Sequence, residues 1–337
     1  MADIFRMCKL KSEEKVLIIN DSMVSGISVG APQSYGAAFR EAAESRGAKV
    51  IGVDLPRSAM KTGHGYDDFG AELVNLMKRS NLIVNSDLYQ TAHYAALHAG
   101  ARSIMIMGPT SAQIRLLATA KLKGPTVKGA ERLMRGRKIR VTSKFGTDLT
   151  VDKTGRKANA EYGAADEPGR WDNSQGGMVG CAPLEDSANG VLVIAPGDGL
   201  VPLGLYAEGP IRCTFKDGMA RKLDSTDGTG KMFERFLRKF GDERSLVTSH
   251  IGWGVNDGAD WVAGYIERSG QDWETSYGNM LFALGINTFD APLRLCGFGG
   301  KNDAPSHFDI GMRNVSFYID DELVVDGSAE RLAPSVR

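Results

Sequence analysis

Histidine is scarce in this chain, 5 in 337 residues, and so is cysteine, with 4. Cys8, Cys181, Cys213 and Cys296 lie far apart and form no C-x-x-C pair. That excludes a cysteine-knuckle zinc site and indicates no disulfide framework, so the cysteines are expected as small buried groups in a reduced, cytoplasmic protein. Excess charge of either sign is also missing: 41 basic and 41 acidic residues balance. A nucleic-acid footprint or an anionic-membrane patch is therefore not expected. No apolar run reaches 18 residues, which excludes a membrane-spanning helix. The first twenty residues, MADIFRMCKLKSEEKVLIIN, do not read as a secretory signal. Nucleotide fingerprints are absent too, with neither G-x-G-x-x-G after a strand nor G-x-x-x-x-G-K-[ST] anywhere.

What is present first is an alternation of short apolar runs with helical periodicity. KVLIIN (15–20), KVIGVDL (49–55), LIVNSD (82–87) and RSIMIMG (102–108) read as buried strands. Between and after them, segments 34–47, 67–80, 91–100 and 111–122 carry helical patterns, two of them ending in glycine. Strands separated by helices of this length predict βαβ units and an open, parallel, Rossmann-like sheet over residues 1–137.

From about residue 138 the pattern changes. KIRVTSK and DLTVDKT alternate around FGT as a hairpin, and short strands follow at 190–195, 211–218, 245–254 and 291–299. The run 315–327 reads as a hairpin turning at Asp320–Asp321, and 228–241 as a helix. Residues 138–337 are therefore expected to form a β-rich α+β domain.

Because histidine is rare, each one can be weighed. His307 and Asp309 are two apart in SHFDIGMRN, and on a strand that spacing turns both side chains to one face. His250, in SHIGWG, precedes glycines that admit close backbone approach. Two histidines and a carboxylate match the set that holds non-haem Fe(II) while leaving positions open, though Zn(II) or Mn(II) suits the same donors. A satisfied edge histidine beside a turn aspartate is the plainer alternative. His64 reads as a loop residue. His93 and His98, five apart on a helix, do not share a face well. The stretch 160–177, AEYGAADEPGRWDNSQGG, mixes acids, Arg, Trp and turn formers as site-lining loops do, the alternative being an N-cap and turn network with surface ion pairs.

EYGAADEPGRWD (161–172), PLEDSANGVLVI (183–194), SHIGWG (249–254), YGNMLFALGINT (277–288) and HFDIGMRN (307–314) together closely resemble the 2,5-dihydroxypyridine 5,6-dioxygenase family. Those iron enzymes open a pyridine ring. The resemblance implies that His250, His307 and Asp309 bind Fe(II), and that a small hydroxylated ring and O2 are the partners in a homo-oligomeric enzyme. A more distant resemblance, to the thermophilic leucyl aminopeptidases (aminopeptidase T and S), discriminates. Their two-metal ligand positions fall on Met178, on His250, near Leu281, and on His307 and Asp309. Methionine and leucine cannot replace ligands of hard divalent ions. The comparison implies one metal, not two.

The family's two acid/base histidines are matched here by Tyr89, with His93 four residues on, and by Asn173. An asparagine hydrogen-bonds but does not exchange a proton near neutral pH. Glu161, Ser276 and Tyr277 join Tyr89, His93 and Asn173 as residues expected around the ring, and Trp171 or Trp253 is expected either to stack on it or to pack in the core. The function implied is an Fe(II)-dependent ring-opening dioxygenase acting on 2,5-dihydroxypyridine or a related hydroxylated N-heterocycle or aromatic. The alternative is a metal-dependent hydrolase of the aminopeptidase or amidase type on the same ligands.

Overall fold

The computed structural model describes residues 2–21, 32–55, 70–86, 99–106 and 120–327. A five-stranded parallel sheet has Lys49–Leu55 at one edge, then Lys15–Asp21, Leu82–Ser86, Arg102–Ile106 and Trp171–Asn173. The first four are the strands the apolar runs predict. Val16, Leu17, Ile18 and Ile19 are all buried, because a parallel sheet is covered on both faces and each strand must be apolar on both. The fifth strand comes from beyond residue 138. Ile104 pairs with Asp172 and Met105 with Asn173, so the parallel sheet reaches into the acid-rich loop.

Two seven-stranded antiparallel sheets make up most of the rest. One runs Met219–Asp224, Ile211–Lys216, Asn189–Ile194, Asp148–Asp152, Lys138–Ser143, Val315–Ile319, Glu322–Val325. Its last hairpin turns at Asp320 and Asp321, both with φ positive (47° and 68°), the twist a two-residue hairpin favours. The other runs Leu205–Tyr206, Gly199–Leu200, His307–Met312, Met280–Gly285, Thr248–Gly254, Met178–Cys181, Asn159–Glu161.

The helix Ala120–Arg135 begins where the expected 111–122 helix ends; most of that expectation, and all of 91–98, lies outside the described residues. Leu122, Thr126, Ala130 and Leu133 form its buried stripe at helical spacing. Its last turn is closed by a buried lysine: Lys153 Nζ donates to the carbonyls of Leu133 (2.8 Å) and Gly136 (3.2 Å). The helix Gly228–Arg238, capped by Asp227, buries Phe233 and Leu237. Among the described residues no helix is long and apolar enough to cross a membrane.

One strand expectation fails. Residues 291–299 form an irregular loop bearing a single bridge, Asp290 to Gly297. Pro292 has no N–H to give a ladder, and Gly297 and Gly299 adopt φ of +88° and +73°. The loop's role is packing, since it carries Phe298 onto His250.

Candidate metal centre and its pocket

His307 and Asp309 sit on the strand His307–Met312, and His250 on Thr248–Gly254, with Met280–Gly285 between them. Alternation along the first strand sends His307 and Asp309 to one face. Phe308, between them, goes to the other and packs edge-on against Phe233 (4.8 Å) and Phe236 (5.0 Å) of the helix Gly228–Arg238. On the central strand the residues opposite Asp309 and His307 are Ala283 and Gly285, so nothing bulky stands between the outer strands' side chains. The pairing of Thr248–Gly254 with the central strand slips between Thr248 and Ile251. His250 lies in that irregularity, the kind of local kink that re-aims a side chain.

The three side chains converge. His250 Nε2 lies 3.1 Å from Asp309 Oδ1, His307 Nε2 3.1 Å from Asp309 Oδ2, and the two Nε2 atoms 3.2 Å apart. Their candidate ligand atoms all fall within 4.8 Å of one another. His307 Nδ1 donates to the Ile286 carbonyl at 3.0 Å, which places its proton there and leaves the Nε2 lone pair facing Asp309. The His250 ring stacks on Phe298 at 4.6 Å, and Phe289 meets His307 edge-on at 5.2 Å. Such a set of two imidazole nitrogens and one carboxylate fits a divalent transition metal.

Burial lowers the pKa of His250. Burial also depresses His307, but the adjacent Asp309 carboxylate outweighs it and raises the net value. Asp309 is pushed up by burial and pulled further down by both histidines, so it stays ionised.

The triad forms one wall of a pocket. Trp171, Met178, Leu281, Phe289 and Phe298 supply apolar sides, and Glu161, Asn173 and Glu274 polar ones. Met178, where resemblance places one peptidase ligand, and Leu281, near which it places another, are thus both at the pocket and both apolar. Of the two candidate tryptophans, Trp171 lines the pocket, whereas Trp253 packs on Phe317 at 5.1 Å.

Glu161 and Asn173 are joined directly: Asn173 Nδ2 donates to Glu161 Oε2 at 2.7 Å, and Asn159 Nδ2 to Glu161 Oε1 at 2.6 Å. Burial, then the negative charge of Asp172, raises the Glu161 pKa well above the ordinary carboxyl range. Asp172 holds this corner in shape. It pairs with Arg170 at 2.9 Å and accepts the backbone N–H groups of Tyr162, Gly163 and Asn173.

Ser276 and Tyr277 do not line the pocket. Ser276 bridges Asn256 through its backbone, and Tyr277 is 58% exposed. Tyr89 and His93 lie outside the described residues, as do His64 and His98. The residue that sequence reasoning missed is Glu274, two positions before Ser276, on the short helix Gly270–Thr275. Two glycines let that helix come close: a Cβ at Gly311 would sit 2.7 Å from the Trp273 carbonyl oxygen, and one at Gly254 would collide with that of Ser276. An acidic residue within the run QDWET, beside a buried tryptophan, was the available signal.

A sequence model of the family described as NicX, 2,5-dihydroxypyridine 5,6-dioxygenase, matches residues 1–329. The chain is 32% identical over 310 residues to the 2,5-dihydroxypyridine 5,6-dioxygenase of Pseudomonas putida KT2440, covering 87% of this chain and 86% of that one. The solved structure of 2,5-dihydroxypyridine dioxygenase from the same organism superposes with a TM-score of 0.84 at 27% identity, over 96% of this chain and 94% of that one. Wild-type AmpT from Thermus thermophilus shares the fold, with a TM-score of 0.65 at 14% identity over 96% and 98% of the two chains. The chain belongs to the 2,5-dihydroxypyridine 5,6-dioxygenase family.

Proposed function

We propose that the chain is an Fe(II)-dependent dioxygenase that opens the ring of 2,5-dihydroxypyridine or a related hydroxylated N-heterocycle or aromatic, with His250, His307 and Asp309 holding the metal. One observation carries the reading: two imidazole nitrogens and a carboxylate converge within 4.8 Å on the wall of an apolar-sided pocket, in a chain of a ring-opening dioxygenase family. Fe(II) bound there would supply the electron transfer that lets O2 react with a ring, with coordination positions left for substrate.

The protein's own groups do the rest. Ile286 O fixes the His307 tautomer, and Phe298 braces the His250 ring. Trp171, Phe289 and Phe298 offer flat apolar surface against which a ring is oriented and from which water is excluded. Asn173 spends its Nδ2 on Glu161, which leaves its Oδ1 for a ring N–H or O–H. A two-metal hydrolase is disfavoured by Met178 and Leu281, apolar residues at or near the positions where the resemblance puts peptidase ligands. We further assign the metal-holding function to residues 138–337, which supply all three ligands. The cytoplasm is the compartment that suits four free, buried cysteines.

The test is oxygen-electrode screening of hydroxypyridines and hydroxylated aromatics with anaerobically Fe(II)-loaded protein. Uptake of one O2 per ring opened is expected. Ring turnover without O2 uptake, or cleavage of Leu-p-nitroanilide by the Zn(II)-loaded protein, would remove the dioxygenase assignment.

A further inference from the structure

Glu274 is 4% exposed, yet only one of its carboxyl oxygens is engaged. Gln271 Nε2 donates to Oε2 at 2.7 Å, while Oε1 is buried with no hydrogen-bond partner among the described residues. A buried, unsatisfied oxygen is costly unless something completes it. Glu274 lines the same pocket as Asp309. So does Asn173, whose Oδ1 is likewise buried and unpartnered. Two open polar atoms on the walls of one apolar-sided pocket mark places where a ligand's polar groups complete the hydrogen bonding.

The surroundings of Glu274 also decide what it presents. Burial comes first and the nearby carboxylates Asp309 and Glu161 second in raising its pKa well above the ordinary range. Oε2 accepts from Gln271, so Oε1 is the oxygen left to meet a ligand.

We infer that Glu274 is a catalytic residue of this pocket: its Oε1–H meets the bound ring and gives a proton to the ring oxygen on which negative charge develops as the ring opens. The inference rests on the ring-opening reading. The step moves one proton and no electrons. The Oε1–H bond breaks with its electron pair left on Oε1, an O–H bond forms on the substrate oxygen, and solvent reprotonates the carboxylate after product leaves. Gln271 is a positioning residue, since its Nε2 donates to Glu274 Oε2.

The experiment compares wild type, Glu274→Gln and Glu274→Leu. Glutamine keeps an acceptor toward Gln271 and a neutral donor toward the ring but has no proton to give. Leucine removes both. Iron content, anaerobic binding of 2,5-dihydroxypyridine by calorimetry, and kcat and KM from O2 uptake are measured on each. Glu274→Gln is expected to retain stoichiometric iron and bind the ring within about threefold of wild type. Its kcat is expected to fall by roughly 10²-fold or more, the usual worth of a positioned acid. Glu274→Leu is expected to bind the ring at least about tenfold more weakly. A glutamine variant with wild-type kcat overturns the proton transfer, and a leucine variant that binds the ring as tightly as wild type overturns the contact. Loss of iron in the glutamine variant would make Glu274 a ligand instead, which also overturns it. Wild type that binds the ring but takes up no O2 sinks the ring-opening reading, while the binding arms still judge the Glu274 contact. Wild type that does not bind the ring overturns both.

Discussion

Asp309 faces two histidines at once: His250 Nε2 lies 3.1 Å from its Oδ1 and His307 Nε2 3.1 Å from its Oδ2. One carboxylate, 6% exposed, is thus the electrostatic centre of a site assembled from two strands that are not neighbours. Removing its charge should therefore affect both imidazoles. Asp309→Asn is expected to lower Fe(II) affinity by at least about 100-fold, beyond what loss of an outer-shell partner produces. His307→Ala should abolish stoichiometric iron while far-UV circular dichroism stays that of wild type. Either variant that retained one iron per chain would take its residue out of the ligand set.

The pair His307–Asp309 was readable because strand alternation is a rule of the backbone, and Phe308 between them confirms the phase by entering the core. His250 was readable from its glycine neighbours. The register slip between Thr248 and Ile251 that aims it was not, because a one-residue irregularity leaves the residue types unchanged. Nor was the crossing of Trp171–Asn173 into the parallel sheet, since a three-residue strand carries no periodicity and its place is set by pairing with Arg102–Ile106. Glu274 escaped for a related reason. It sits on a six-residue helix held in place by close approach to Gly254 and Gly311, a tertiary fact that the run QDWET does not reveal.

Arg170 and Asp172 form a buried pair, with side chains 5% and 0% exposed, that ties strand Trp171–Asn173 to the loop at Tyr162 and Gly163. Removing the cation leaves a buried carboxylate with backbone donors only. Arg170→Met is expected to cost about 3–5 kcal/mol in urea unfolding. The double variant with Asp172→Asn should recover part of that loss. An additive double variant would show that the two residues do not act as a pair.

The N-cap Asp227 predicts a pH dependence remote from the site. Hydrogen bonds from the Thr229 hydroxyl and, at 2.9 Å, the Gly230 N–H hold its pKa down to about 2, against an ordinary value of 3.8. A carboxyl whose folded pKa is depressed stabilises the fold above its unfolded pKa and loses that contribution as pH falls through the folded one. Asp227→Ala should therefore cost about 1 kcal/mol at pH 7. The gap between variant and wild type should narrow as pH drops from about 4 to about 2. A gap that stayed constant over that window would mean the charge plays no part in the cap.

Asn173 is the pocket position where this chain departs from the histidine its family resemblance implies, and its geometry says what the exchange would do. Its Nδ2 donates to Glu161 Oε2 at 2.7 Å, while its Oδ1 is buried without a partner among the described residues. A histidine there can keep a donor toward Glu161 while presenting a nitrogen that gains or gives a proton near neutral pH. Asn173→His is then expected to raise kcat/KM for 2,5-dihydroxypyridine relative to other hydroxylated rings by between about tenfold and 100-fold. A well-placed proton-transfer group contributes roughly 10²–10⁴-fold, and an introduced one will be less well placed. The comparison of several rings matters more than the absolute rate. A uniform change across all of them would reflect altered packing against Trp171 or Glu161, whereas a change confined to rings with a titrating group near the amide would place residue 173 on the substrate. An unchanged ratio would show that Asn173 does not face the ring and that specificity is set elsewhere on the pocket wall.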